Sequence, residues 1–536
     1  MSFIDRDSIL ARIRRKYWFV DSFLDYLSKK QAILLGKTGP LFLRRPFSLR
    51  GKNLFTHKHI IGKTGYGKSN LIGGMAYQLI MQDIPVALID PHSDLATGLL
   101  GRLSDNGYFE RPGVAKDPTK KLLYIDFGIK DKANTPTHFL PFNILSQVYS
   151  TGDIAIDVVE VFLRVWPYLE QSSPHFQDVC KNGLVTLIEN EKTLLDLPKV
   201  LSKKIVREGY LEAVMDPAVQ NFFHDRCDMW DPKFAPQMLE STLNKISNLL
   251  FSEVIRYSLG QKENALDFEY LLSNGISVIF NLGGLRKETK RFLGCLLTLG
   301  LENAMYARDS KPISQRHEYF FIIDEFQMFV NTAEEAFNTF LSESRKFHVR
   351  EVLAHQYNDQ LPLGLSSGLQ NTQRIILRLE DDAKVAAGRI GRYDPMSTKR
   401  EVEELVTRKK SLPRDFTVEE EQEMWAQEIK ELFVGEAYIK LEDRTEKIKI
   451  DRFPDPRNLE KLKLIEEYYA KTLMTPRIEA ITRVHKENYD VESISPTSKE
   501  QSTETVFVGQ NRILQRSNAK PWKKNKQIKC SQLPVF

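Results

Sequence analysis

Short continuous apolar runs, each bounded by turn residues, alternate with helix-spaced stretches along most of this chain. His59-Ile60-Ile61, Pro85 to Asp90, Leu122 to Asp126, Ile276 to Asn281 and Tyr319 to Glu325 carry the pattern, and Val349 to Ala354 and Gln373 to Leu379, each interrupted by charged residues, add two further strands. Runs of this length without polar alternation mark strands covered on both faces, the environment of a parallel sheet. From Thr151 to about Tyr270 the period changes: Val158, Val159, Phe162, Leu163 and Trp166 fall on one helical stripe, and strand-like runs are few. The pattern predicts an α/β core with a mainly parallel sheet, interrupted by an all-helical insertion. Ahead of the core, Ala32 to Phe55 reads as a small β lead-in with short strands at Pro40 to Leu43 and Pro46 to Leu49. Beyond Glu380, an acidic helical stretch from Val418 to Glu428 precedes strands near Leu432 to Val434 and Ala437 to Leu441. The chain thus divides into 1–55 (N-terminal helix and β lead-in), 56–150 (first part of the core), 151–270 (helical insertion), 271–450 (second part of the core), 451–484 (C-terminal helical segment) and 485–536, a polar and basic tail that the composition predicts to be disordered.

One loop in this pattern carries explicit chemistry. Gly62-Lys63-Thr64-Gly65-Tyr66-Gly67-Lys68-Ser69 follows the run ending at Ile61 and opens a helix-forming stretch from Asn70 to Met81. A strand leading into G-x-x-x-x-G-K-S and a helix leading out make a P-loop, whose N–H groups and helix N-terminus converge on a polyphosphate. Gly62, Gly65 and Gly67 permit the turns and the close backbone approach, Lys68 places a charge on the β and γ oxygens, and Ser69 offers a hydroxyl to Mg2+. A dinucleotide-binding loop fits worse, because its spacing is G-x-G-x-x-G and it lacks the Lys-Ser ending. Gly62 to Asn70 are therefore the expected nucleotide-binding residues. The absence of an Asn-Lys-x-Asp segment favours ATP over GTP.

The second half of such a site is an apolar strand ending in an acid, which Tyr319 to Glu325 supplies. Asp324 would hold Mg2+ directly or through water, and Glu325 would polarise an attacking water, so the pair points to hydrolysis. Asp90 is expected at the tip of the strand beside the P-loop strand, near enough to orient the metal or, as an alternative, to cap the following turn. Lys68 and Asp324 are 324 − 68 = 256 residues apart, and the helical insertion accounts for that gap.

The remaining composition sets limits. A chain of 536 residues with 42% apolar and 27% charged content is long enough for two or three folded units. The net charge of +5 requires any basic contact surface to be local. Cys180, Cys227, Cys295 and Cys530 show no CxxC spacing, which suits a reducing compartment without a disulfide framework. No run approaches the ~20 apolar residues of a membrane span, and only 61 residues precede Gly62, so a cytoplasmic location is expected. The basic and aromatic stretch Ile13 to Val20, continued by Phe23, Leu24 and Leu27, reads as a helix packed on its own domain or a neighbouring subunit, with peripheral membrane contact as the alternative.

Further landmarks accompany the P-loop: Ile89-Asp90-Pro91-His92-Ser93-Asp94-Leu95, Phe142-Asn143, Ser344-Arg345-Lys346, Ala354-His355-Gln356, Gln370-Asn371-Thr372 and Asp381-Asp382-Ala383. Together, over about Arg45 to Lys384, they resemble the HerA-FtsK superfamily of pumping ATPases, most closely the conjugative DNA-transfer coupling proteins of type IV secretion systems and their soluble relatives. The resemblance implies a RecA-like P-loop ATPase core, ATP and Mg2+, and a ring, with a homo-hexamer the expected form. It implies DNA threaded through a central channel by mainly phosphate contacts. Gln356 would sense the γ-phosphate, and Arg345 would enter a neighbour's nucleotide site, with Lys346 or Arg350 as alternatives for that role. Family members more often have Gly where this chain has Ser93. Candidate DNA contacts lie in Gly283 to Lys287 with Lys290 and Arg291, and candidate partners are a relaxase, a nuclease or a membrane secretion channel. A viral genome-packaging motor would share this chemistry. A different class of function is a nucleotide-gated adaptor that binds a protein cargo such as a relaxase without pumping DNA.

Overall fold

The computed structural model of this chain describes residues 31–488 apart from 41–42, 147–149, 170–174, 231–234, 331–333, 362, 367, 392–416 and 443. The expected N-terminal amphipathic helix, Cys530 and nearly all of the polar tail fall outside the described residues.

Among the described residues an eleven-stranded sheet forms the centre, in the order β2-β1-β12-β11-β10-β3-β9-β8-β4-β7-β5. Its strands are β1 (Ala32–Thr38), β2 (Arg45–Arg50), β3 (Lys58–Ile61), β4 (Val86–Asp90), β5 (Leu122–Asp126), β7 (Ser277–Asn281), β8 (Tyr319–Ile323), β9 (Val349–His355), β10 (Gln373–Ile376), β11 (Glu436–Lys440) and β12 (Thr445–Ile450). From β10 to β5 every pairing is parallel, and from β10 to β2 every pairing is antiparallel. Strands β3, β4, β7, β8 and β9 are buried at every position, as strands covered on both faces are, and the burial extends to Lys58 of β3 and to Arg350 and Glu351 of β9. A separate short pair joins β6 (His138–Phe139) to β13 (Thr475–Pro476).

Three local expectations fail. Of the expected strand Pro40 to Leu43 only Pro40 and Leu43 are described, and neither is in a strand: Leu43 N–H bonds the Pro40 carbonyl at 2.8 Å after the positive-φ Gly39. Leu432 to Val434 is not a strand either. It links the helix Val418–Lys430 to β11, with Phe433 and Val434 exposed, and ends at Gly435 with φ 77°. The third concerns Asp90, because β4 pairs with β8 and β7 and never with β3. Strands β9 and β8 separate Asp90 from the P-loop strand.

The antiparallel extension depends on one close approach. At Gly36, φ 153°, an added Cβ would lie 2.0 Å from the Lys449 carbonyl oxygen, so β1 can pair with β12 only through glycine. Beyond β12 the chain crosses the start of the P-loop helix and enters the helix Leu459–Leu473, whose buried Tyr469 donates its hydroxyl to the Leu122 carbonyl on β5 at 2.8 Å.

The described residues of 151–274 form helical segments, including Thr151–Val165, Phe176–Glu189, Ala235–Leu250 and Phe268–Asn274, and no strand. Thr151–Val165 packs its apolar stripe on the long helix Lys287–Tyr306 that follows β7. Within that contact Arg164, 1% exposed, donates to Glu160 at 2.6 Å and to the buried Glu302 at 3.2 Å.

Candidate active site

The parallel strands bring the chemistry to one edge of the sheet, because residues that follow parallel strands share their C-terminal ends. The P-loop follows β3, Asp324 and Glu325 follow β8, and Gln356 follows β9. The helix after the loop is Lys68–Met81, two residues longer at its start than the pattern predicts. Gly65 and Gly67 have φ of 85° and 103°, a backbone that side chains resist, and a Cβ at Gly62 would lie 2.6 Å from the Leu377 Cβ.

Lys68 Nζ lies 2.6 Å from Glu325 Oε1, with the two side chains 7% and 6% exposed. Gln356 Nε2 donates to the same oxygen at 3.0 Å, and Gln327 Nε2 donates to Oε2. Gln327 has no counterpart in the sequence reading; its only signal was a position two residues beyond Glu325. Glu325 itself has φ 49°, so a non-glycine residue holds a left-handed backbone at the centre of the site.

The two acids are shifted in opposite directions. Burial pushes the Glu325 carboxyl up, but the Lys68 charge and hydrogen bonds from Lys68, Gln356 and Gln327 outweigh it and hold the group below its ordinary value. Asp324 has no such set of donors. Burial drives it up to about 7 against the pull of Lys68, with Glu325 and Asp90 adding to the rise. A buried acid that lacks a matching cation suits a divalent metal, and the hydroxyl of exposed Ser69 supplies a second hard oxygen.

Asp90 has both oxygens engaged by backbone, Oδ1 with His92 N–H at 2.8 Å and Oδ2 with Ala96 N–H at 2.7 Å. It caps the turn after β4. In that turn Ser93 takes φ 81°, and its hydroxyl accepts from Asn281 Nδ2 at 3.0 Å. Asn70 is also engaged elsewhere: Nδ2 donates to the Asp451 carbonyl at 2.8 Å and Oδ1 accepts from Phe453 N–H. Lys63 Nζ reaches Glu380 at 3.4 Å, Thr64 is exposed, and Tyr66 lies under the Arg378 guanidinium at 5.3 Å from the ring centre.

Beneath the site His59 of β3 and His355 of β9 stack with centroids 4.8 Å apart and Nε2 atoms 2.6 Å apart. Burial pushes both well down, His355 to about 4, so both rings are neutral. His355 Nδ1 donates to the Tyr357 carbonyl at 3.0 Å, which leaves its Nε2 to accept from His59. This bond fastens the P-loop strand to the strand that carries Gln356.

Arg345 is placed differently. It lies in the short helical turn Ser344–Phe347 before β9, at the opposite end of the sheet from Lys68. It is exposed and forms no ion pair with a described residue, whereas Lys346 pairs with Glu343 and Arg350 with Glu318. The basic loop after β7 leaves Arg286 and Lys287 exposed at the start of the helix Lys287–Tyr306. Among the described residues no helix is long and apolar enough to cross a membrane.

Residues 42–148 match the family model described as Helicase HerA, central domain. No curated protein matches the chain by sequence. Solved structures with similar folds include the bacterial conjugative coupling protein TrwBdeltaN70 in its unbound monoclinic form, 15% identical over 82% of this chain and 93% of that one, with a TM-score of 0.50. Plasmid coupling protein TrwB in complex with ADP and Mg2+ is 16% identical over 82% of this chain and 94% of that one, again at 0.50. VirB4 of Thermoanaerobacter pseudethanolicus is 14% identical over 80% and 98%, at 0.49. The likeness to TrwB shows a shared RecA-like ATPase fold with a mostly parallel sheet.

Proposed function

We propose that this chain, a HerA-FtsK-type P-loop ATPase, hydrolyses ATP with Mg2+ and uses the energy to move DNA as a ring. The observation that carries the proposal is the convergence of Lys68, Glu325 and Gln356 after three different strands. The ADP and Mg2+ complex of TrwB supports the choice of ligand and metal.

In this reading the P-loop N–H groups and Lys68 hold the phosphates of ATP. Ser69 and Asp324 would hold Mg2+, which when bound would neutralise phosphate charge. Phosphate oxygens compete with Glu325 for Lys68, so binding frees a carboxylate already poised to take the proton of an attacking water. Gln356 contacts that carboxylate from β9 and links it to the terminal phosphate. Asp90 and Asn70 support the site rather than touch substrate: Asp90 shapes the turn beside Asp324, and Asn70 ties the loop helix to the strap after β12.

Arg345, at the far end of the sheet and without an ion pair among the described residues, is suited to complete the site of an adjacent copy, where its planar charge would stabilise the transferring phosphoryl group. Arg286, Lys287 and Lys290 follow β7, toward the sheet edge remote from β10, and are the candidate contacts to DNA phosphates. A cytoplasmic site of action, read from the cysteine pattern, belongs to the same proposal.

Subunit mixing tests the shared site. Lys68→Ala and Arg345→Ala chains are each expected to be inactive, and mixing them should restore hydrolysis at about a quarter of the interfaces of a randomly assembled ring. Mixtures no more active than their components would exclude a site completed by Arg345 of a neighbour.

A further inference from the structure

A nucleotide on this P-loop can lie in only one direction, and the reacting groups determine which. Glu325 and Gln356 follow β8 and β9, on one side of β3, so the terminal phosphate lies toward them. The base then lies on the other side, toward β10 and β11.

On that side the structure has a cavity of about 490 Å³, lined among others by Arg378, Glu428, Lys430, Phe433, Tyr438 and Lys447. Its size is that of a small-ligand site. The cavity adjoins the loop directly: the Arg378 carbonyl accepts the Lys63 N–H at 2.9 Å, and Gly435 donates its N–H to the Tyr66 carbonyl at 3.0 Å. A Cβ at Gly67 would meet the Gly435 Cα at 3.5 Å, so the segment carrying Phe433 rests against the phosphate loop itself.

Three features identify the occupant. Phe433 is 72% exposed and its neighbour Val434 61%, which leaves an aromatic face at the cavity wall without cover. The lining mixes acids with cations, which does not select for a second anion but offers donors and acceptors to the edge of a heterocycle. Arg378 over Tyr66 marks the boundary between the phosphate loop and the cavity.

We infer that this cavity binds the adenine and ribose of ATP, with the base stacked on Phe433 and with Arg378 and Tyr66 closing the end toward the phosphates. The inference rests on the nucleotide-binding reading of the P-loop. It also gives the segment Leu432 to Val434 a role: an apolar run that is not a strand supplies a stacking surface.

The test compares the full-length chain with Phe433→Ala and Phe433→Tyr, using calorimetric titration with ATP and with inorganic tripolyphosphate, each with Mg2+. Phe433→Ala should weaken ATP binding about tenfold, the usual scale for loss of a base–aromatic stack, while tripolyphosphate affinity stays unchanged. Phe433→Tyr should bind ATP like the parent. The inference is overturned if Phe433→Ala leaves ATP affinity intact, in which case altered subunit assembly in that variant would assign Phe433 to a subunit contact. Equal loss of both ligands would also overturn it. A parent chain that binds neither ligand would instead overturn the nucleotide reading, and the base site with it.

Discussion

Replacing Glu325 by Gln is expected to slow ATP hydrolysis by about 10²- to 10⁴-fold, the range for loss of a positioned general base, while leaving ATP binding intact or tighter. Glutamine keeps the shape of the side chain but cannot take a proton. It also removes the charge that holds Lys68 at 2.6 Å, so Lys68 meets the phosphates without first leaving an ion pair. The carboxylate's environment supports its role. Burial raises Glu325, yet Lys68, Gln356 and Gln327 lower it further, so the group is ionised at neutral pH and ready to accept a proton. Its left-handed backbone costs on the order of 1–3 kcal/mol and persists because these side chains hold the turn. Single-turnover hydrolysis and equilibrium ATP binding separate the two effects. A variant that hydrolyses at the parental rate would remove Glu325 from the mechanism.

The second large effect concerns stability. Arg164→Ala should destabilise the fold by about 3–5 kcal/mol, the scale for removing one partner of a buried ion pair. Arg164 and Glu302 join the helix Thr151–Val165 to the core helix Lys287–Tyr306, and Glu160 shares the same guanidinium. Burial pushes the Glu302 carboxyl up even with Arg164 present, so without Arg164 the acid would be buried with no cation beside it. Pairing Arg164→Met with Glu302→Leu removes both charges and should recover most of the loss. Thermal unfolding of the parent and the two variants measures this, and a parental midpoint for Arg164→Ala would show that the pair does not hold the insertion to the core.

The candidate site was legible to the extent that each of its parts is a short contiguous stretch of sequence. Eight consecutive residues specify the P-loop, and a strand ending in Asp324-Glu325 or His355-Gln356 shows its tip directly. Strand order was not legible, because crossovers fix it and no local pattern encodes which strands become neighbours. Asp90 shows the consequence: its strand was recognisable, but β9 and β8 intervene between it and β3. Contacts across long separations were equally hidden, including His59 with His355, Asn70 with the strap at 451–453 and Gly435 against Gly67. Strand β12 left a weak trace, since Ile448 and Ile450 alternate with lysines and both are buried. Leu432 to Val434 misled for the opposite reason: three apolar residues in a row imitate a strand, while two of them face solvent.

The central claim, ATP hydrolysis coupled to DNA, is tested most directly by steady-state hydrolysis with and without double-stranded and single-stranded DNA, with Lys68→Ala and Glu325→Gln as controls. The account predicts strong stimulation by DNA that falls with rising salt, as phosphate contacts require, and that disappears in both variants. Hydrolysis indifferent to either form of DNA would contradict the motor and leave a nucleotide-gated adaptor for a protein cargo as the reading that fits.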